Sequence, residues 1–212
     1  MISKLTYMWK KTIAAALLLT AVMTALAQEI EVYAPEGSAT TVQLRTNGLY
    51  WLALSPNIGV ELQTDMGVTF SLDYVGAWWN KNQKHRYFSN YAFQLDARYY
   101  LNSRTQGTPY LGHHVGIYGQ MMTYDFEFGG TGYQSNDLSK TWTIGAAYGY
   151  RLPLGKRFAV DFTIGIGYLS SKYDVYKPYM GQYVRTNTKR LKFYGPTRLE
   201  TSFVWNINAT NN

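Results

Sequence analysis

Residues 158–169 read Phe-Ala-Val-Asp-Phe-Thr-Ile-Gly-Ile-Gly-Tyr-Leu. Phe158, Val160, Phe162, Ile164, Ile166 and Tyr168 take one set of alternate positions, and Ala159, Asp161, Thr163, Gly165, Gly167 and Leu169 take the other. A period of two is the signature of a β-strand, whose successive side chains point to opposite faces. One face here is bulky and apolar; the other is small or polar.

The same division extends outward from this stretch. Trp142, Ile144, Ala146, Tyr148 and Tyr150 oppose Thr143, Gly145, Ala147, Gly149 and Arg151. Phe93, Leu95, Ala97 and Tyr99 oppose Gln94, Asp96, Arg98 and Tyr100, and Leu199, Thr201, Phe203, Trp205 and Ile207 oppose Arg198, Glu200, Ser202, Val204 and Asn206. The pattern predicts eight strands, at 42–53, 57–64, 68–78, 91–101, 110–124, 141–152, 157–170 and 196–207. Asp65-Met66-Gly67 and Pro153-Leu154-Gly155-Lys156 have the composition of tight turns. Trp79–Asn90, Asp125–Lys140 and Ser171–Gly195 are read as long loops. Short turns at one end and long loops at the other are the asymmetry of an outer-membrane barrel. The three-residue link Ser55–Asn57 falls at the long-loop end and breaks that rule.

The start of the chain points to export. Lys4, Lys10 and Lys11 precede an apolar run from Ile13 to Val22, and Ala25 and Ala27 fit the small-residue pattern of a signal peptidase site. That run is shorter than the ~20 apolar residues a membrane-spanning helix needs. The expected organisation is a signal peptide at 1–27, a periplasmic lead-in at 28–41, a barrel at 42–207 and a polar tail at 208–212. Without its three lysines the leader takes the formal charge from +7 to +4. That is too modest an excess, with no basic helix, to indicate nucleic acid. There are no cysteines, so the core holds without disulfides.

Alternation alone suits a soluble sandwich as well as a membrane barrel. Three features favour an eight-stranded antiparallel up-and-down transmembrane β-barrel. Glycines at 112, 116, 145, 149, 165 and 167 lie on the polar face, where a narrow lumen would crowd larger side chains. That face carries both signs of charge: Arg45, Arg98, Arg151 and Arg198 against Glu61, Asp73, Asp96, Asp161 and Glu200. Such a set suits a desolvated interior in which each charge needs a partner, and is expected to form a packing network rather than a pore or an active site. Finally, the chain has 20 Tyr and 6 Trp. Trp78, Trp79, Phe88, Tyr91, Tyr124, Phe126, Trp142 and Tyr168 lie near the long-loop strand ends, and Tyr99, Tyr110, Tyr150, Phe158 and Trp205 near the short-turn ends. They are read as two interfacial girdles. A secreted or periplasmic lipocalin-like binder is the alternative, and it would turn the apolar face inward.

Several segments resemble a family of small barrels of Bacteroidetes-type bacteria, known only as a domain of unknown function (DUF3575-like). They are Arg45–Tyr50 with Ser55–Glu61, Gly112–Tyr118, Tyr124–Gly130, Asp161–Tyr168, Thr188–Arg190 and Tyr194–Thr197. The resemblance spans nearly the whole mature chain. It implies an outer-membrane barrel placed by the barrel-assembly machinery and linked to fimbrial or other surface proteins, and it brings no catalytic residues. The polar tail Asn208–Asn212 departs from the aromatic ending of many such barrels, which shifts recognition by that machinery to Phe203 and Trp205.

No cofactor or metal is expected. His113 and His114 are adjacent and so point to opposite faces of a strand, and a zinc site would need further ligands. A lipid A-modifying enzyme would need a histidine near a carboxylate at the rim; His85 with Asp125 or Glu127 is the one such grouping, and nothing in the sequence brings them together. The loops differ in charge. Lys172, Lys177, Arg185, Lys189, Arg190 and Lys192 face only Asp174 in the last loop, Lys81, Lys84 and Arg86 lie in the first, and Asp125, Glu127 and Asp137 against Lys140 make the middle one acidic. The basic loops are expected to contact lipopolysaccharide phosphate, leaving the acidic loop for a protein partner.

Overall fold

The computed structural model describes residues 41–64, 67–81, 86–101, 110–154, 157–180 and 182–207. The expected signal peptide at 1–27, all but the last residue of the lead-in and the tail at 208–212 lie outside the described residues. In chain order the elements are β1 (Thr41–Asn47), α1 (Gly48–Leu52), β2 (Asn57–Gln63), β3 (Val68–Lys81), β4 (Arg86–Tyr100), β5 (Gly112–Phe128), β6 (Gly132–Ser135), β7 (Thr141–Pro153), β8 (Phe158–Tyr179) and β9 (Gln182–Asn206).

Every pairing is antiparallel between neighbours, and β1 pairs with both β2 and β9, so the eight longer strands close into a ring. The stagger of that ring can be read from the register. From Arg45 the partners run Gly59, Asp73, Gln94, Gln120, Thr143 and Leu169, reaching β9 at Phe193. The direct β9 partner of Arg45 is Val204, eleven positions further on. One of the eleven is Thr197, the extra residue of a β-bulge between the pairs Gly165–Arg198 and Ile166–Pro196. Such an offset requires strongly tilted strands.

Burial follows the alternation with the polar face inside. Glu61, Asp96, Arg98, Arg151, Asp161, Arg198 and Glu200 are buried, while Phe70, Leu72, Leu95, Ile117, Ile144, Ile164, Ile166, Leu199 and Phe203 are exposed. In water that distribution would be untenable, since a charge is not buried while aliphatic side chains stay out. In lipid it is the expected one. The chain is thus an eight-stranded transmembrane barrel, and the lipocalin-like alternative, with its apolar interior, is overturned.

The loops depart most from expectation. A tilted strand crosses a membrane in about 9–11 residues, yet β8 has 22 and β9 has 25. The segment Ser171–Gly195 is a continuation of both strands, in register from Ser171–Leu191 to Tyr179–Gln182 with a second bulge after Val175. Trp79–Lys81 and Arg86–Asn90 likewise continue β3 and β4, in register up to Lys81–Arg86, and the rest of that expected loop lies outside the described residues. In the segment Asp125–Lys140, β6 pairs with both β5 and β8, filling the wall beyond the end of β7.

The opposite correction applies to the first hairpin. The strand expected at 42–53 stops at Asn47, and α1 follows. The Asn47 side chain accepts a hydrogen bond from the Leu49 amide at 3.0 Å, capping the turn. Asn57 clamps Asn47 from across the hairpin, accepting from its amide at 2.5 Å and donating to its carbonyl at 2.9 Å. Trp51 Nε1 donates to Thr46 Oγ1 at 2.8 Å. The outer connection therefore runs from Gly48 to Pro56, longer than the three-residue link read from the sequence. Because β1 and β2 end low while β3 and β9 continue, the wall has a notch above α1.

The outer girdle is also corrected. Trp78, Tyr91 and Trp142 face outward and are exposed. Trp79, Phe88, Tyr124 and Phe126 do not belong with them, because each lies on the inward face of its strand. Trp79 stacks on Phe88 at 5.3 Å and meets Phe128 at 6.2 Å; Phe126 stacks on Tyr124 and Tyr133 at 5.7 and 5.2 Å. Adjacent Trp78 and Trp79 must point apart. At the other end Tyr110 is buried against Tyr100, edge-on at 5.6 Å.

Candidate functional site

All nine charges singled out on the polar face meet in one lumenal network. Arg151 sits at its centre: its Nη1 and Nη2 reach Glu61 at 2.7 and 2.9 Å, and its Nε and Nη2 reach Asp161 at 2.9 and 2.7 Å. This forked geometry satisfies two carboxylates with one planar cation. Arg45 spans Asp73 and Glu200, each at 3.1 Å, and Glu61 at 3.6 Å. Arg98 lies 3.2 Å from Asp161 and 3.7 Å from Glu200. Arg198 pairs with Asp96 and with Glu200 at 2.7 Å. Gln94 donates to Glu200 at 2.8 Å and Ser71 to Asp96 at 3.3 Å.

Parity explains the convergence. These side chains lie on the inward faces of seven strands, and the tilt brings them together. Glycine makes the room. A β-carbon at Gly165 would lie 2.8 Å from Tyr118 Cε1 and 3.0 Å from Arg198 Cβ, and one at Gly149 would run into the His114 ring. Arg151 and Arg198 stack over Tyr100 and Tyr118 at 5.0 and 4.9 Å. His114 is a member that the reading of the sequence passed over. It is fully buried, with Nε2 2.9 Å from Asp161 Oδ1. Its place on the face of Gly112 and Gly116 is the signal that could have found it. His113 points out, stacked near Tyr148 with Nδ1 2.6 Å from that hydroxyl. The two histidines thus diverge, and no cluster of metal-ligating side chains occurs among the described residues. Among the described residues these charges are buried and paired with one another across the lumen.

The basic residues expected on loops fall mainly on the β8–β9 hairpin, and its two faces sort them. The face continuous with lipid-exposed Ile164 and Ile166 carries Tyr168, Lys172 and Asp174 on β8 and Tyr194, Lys192, Arg190 and Arg185 on β9. The inward face carries Lys177 and Lys189. Tyr168 and Tyr194 lie side by side with ring centroids 4.6 Å apart. Just beyond this pair Ser170 opposes Lys192 and Lys172 opposes Arg190. Two like charges directly across a sheet repel. Among the described residues, none of Lys172, Arg190 and Lys192 has a carboxylate within ion-pair distance. Arg185 does, 3.3 Å from Asp174. The Thr188 hydroxyl donates to Asp174 at 2.6 Å, and that bond, with Arg185 beside it, holds the Asp174 carboxyl below the usual aspartate range. Arg86 is exposed at the start of β4. Lys84, His85 and the side chain of Lys81 lie outside the described residues.

The carboxylates of the acidic middle loop differ in exposure: Asp125 is half-buried and Glu127 buried, while Asp137 is exposed. Asp125 accepts from the Tyr176 hydroxyl at 2.6 Å and from Gln134 at 2.7 Å, and Glu127 is buried. Asp137 accepts from the Ser139 amide at 2.9 Å and hydroxyl at 2.8 Å, which lower its pKa. Asp125 thus ties β5 to β6 and β8, whereas Asp137 closes a local turn. Partial burial raises the pKa of the Tyr176 phenol, and its hydrogen bond to Asp125 raises it further.

The fold is similar to the crystal structure of Neisserial surface protein A (NspA), at 16% identity, covering 81% of this chain and 99% of that chain with a TM-score of 0.42. Among curated proteins none matches. The family model described as "Protein of unknown function (DUF3575)" matches residues 15–207. With nearly its whole length covered by that match, the chain belongs to the DUF3575 family.

Proposed function

We propose that this chain is an exported, non-conducting outer-membrane barrel with no catalytic role, whose work is surface interaction through the β8–β9 hairpin, beginning with the phosphates of surface glycolipid. The carrying observation is the outward-facing trio Lys172, Arg190 and Lys192, with no carboxylate partner among the described residues and immediately beyond the Tyr168–Tyr194 ring pair. Tyrosine rings settle at the headgroup level. Cations two to four residues above them would stand among lipopolysaccharide phosphates, and an anion between Lys172 and Arg190 would relieve their mutual repulsion. The other basic positions, Lys177, Arg185 and Lys189, are secondary in this reading. Export through a signal peptide cut after Ala27 and insertion by the barrel-assembly machinery complete it.

Two measurements test the proposal. Mature protein should be recovered in detergent extracts of outer membrane with Gln28 at its N-terminus; a protein still starting at Met1, or found in the soluble periplasm, contradicts the export part. Purified barrel with Lys172, Arg190 and Lys192 all changed to Gln should bind lipopolysaccharide more weakly than wild type and with a shallower salt dependence. Equal affinity and equal salt slope would reduce the trio to solvated surface.

A further inference from the structure

The outer half of β9 is a sheet edge. β1 pairs with β9 only from Asn206 to Ser202, after which α1 turns away. From Gln182 to Gly195 the partner of β9 is β8, and no other described strand pairs with it. Every residue from Gln182 to Tyr194 is exposed. On the side away from β8, alternate residues of this strand offer amide N–H and carbonyl groups with no described strand to receive them. Such an edge is a template for another extended chain, and proteins without use for one keep it short or covered. Here it extends over fourteen residues, free of proline and rich in the β-favouring Tyr183, Val184, Thr186 and Thr188.

Charge and face select the occupant. Between Gln182 and Gly195 lie Arg185, Lys189, Arg190 and Lys192 and no acidic residue. A second copy pairing edge to edge would set four cations against four cations, so self-association is disfavoured. One face of the strand presents Arg190 and Lys192, the other Leu191 and Phe193, both exposed. We infer that β9 accepts, by strand addition, an extended segment of another protein in which carboxylates alternate with apolar residues. Carboxylates would lie beside Arg190 and Lys192 and apolar side chains beside Leu191 and Phe193. The backbone supplies affinity and the alternation supplies register. This rests on the reading of the hairpin as the working surface, but it uses the strand edge rather than the outward trio alone.

The test uses full-length mature barrel in zwitterionic nanodiscs and a capped decapeptide alternating glutamate and valine. Two analogues carry N-methyl groups, one on every glutamate nitrogen and the other on every valine nitrogen. In an added strand only alternate amides face the host. One methylated set, and not both, should therefore weaken binding about tenfold or more, and a lysine–valine peptide should not bind. The barrel with Lys189, Arg190 and Lys192 changed to Gln should also bind the glutamate peptide about tenfold less well. No binding of the parent peptide, or equal binding by parent and both methylated analogues, would overturn the inference. The same preparations are assayed against lipopolysaccharide vesicles. Glycolipid binding that persists while the peptide fails removes strand addition alone, and peptide binding that persists while glycolipid fails removes the glycolipid reading alone.

Discussion

At the level of single residues, the account turns on which way each side chain points. Ile164 and Thr163 are neighbours, one exposed to lipid and one buried and donating to Asp161 at 2.9 Å. Ile164→Arg should cost about 2–4 kcal/mol, the penalty for a cation at the midplane of a barrel's outer surface, whereas Thr163→Asn should cost less; reversible unfolding in bilayers measures both. Arg151→Met removes the cation shared by Glu61 and Asp161 and leaves two buried carboxylates short of a partner. A loss of about 3–5 kcal/mol is expected in the same assay, against little change for Lys192→Gln on the solvated hairpin. The nine lumenal charges were legible in the sequence because parity alone places them. His114 was legible by the same rule: adjacent His113 and His114 point to opposite faces, and the parity of Gly112 and Gly116 puts His114 in the lumen. The misassigned aromatics failed for a related reason: closeness to a strand end was used where parity was needed, so Trp79 and Phe126 were put in a girdle they face away from.

The elements were legible where one face meets lipid and the other meets packed charge, because that contrast marks the period. Beyond the membrane it fades. In Ser171–Gly195 the face of Val175, Val184, Leu191 and Phe193 is interrupted by Lys177 and Lys189, and the bulge after Val175 breaks the period, so the sequence there reads as a loop. The α1 turn was missed for the opposite reason: Gly48–Leu52 has no polar–apolar contrast of its own, and the Asn47–Asn57 clamp that ends β1 is a tertiary event. Hydrogen exchange followed residue by residue should display the hairpin and its open edge together. On either side of the bulge at Thr186, every second amide of Gln182–Gly195, bonded to β8, should be protected and those between should exchange nearly as free amides. Uniformly fast exchange would restore the loop, and uniformly slow exchange would mean the edge is covered. The Asp174 contacts give the hairpin a pH signature. With its pKa depressed in the folded state, Asp174 contributes stability above the unfolded value near 3.9. That contribution is lost as pH falls through the lower folded value. The Thr188 amide shift should titrate with a midpoint below that of an unstructured aspartate.

For the whole molecule, the register closes the ring, the stagger tilts it, and the tilt lets charges from seven different strands share one desolvated layer. The fold class followed from alternation and turn asymmetry. Nothing in those signals encodes how far the hairpins rise, which strand edge stays open, or which partner the surface meets. A lumen closed by Arg151 and its partners should pass no current, so purified barrel in planar bilayers should show no stepwise conductance. The central claim is that the polar face is inside and the apolar face in lipid, and the absence of cysteine permits a direct test. Single cysteines placed in turn from Phe158 to Tyr168, labelled with a small fluorophore and reconstituted with nitroxide-bearing lipid, should show quenching with a period of two. Quenching should be strong at Phe158, Phe162, Ile164 and Ile166 and weak at Ala159, Asp161, Thr163 and Gly165. Quenching without alternation, or strongest at the second set, would contradict the barrel as described.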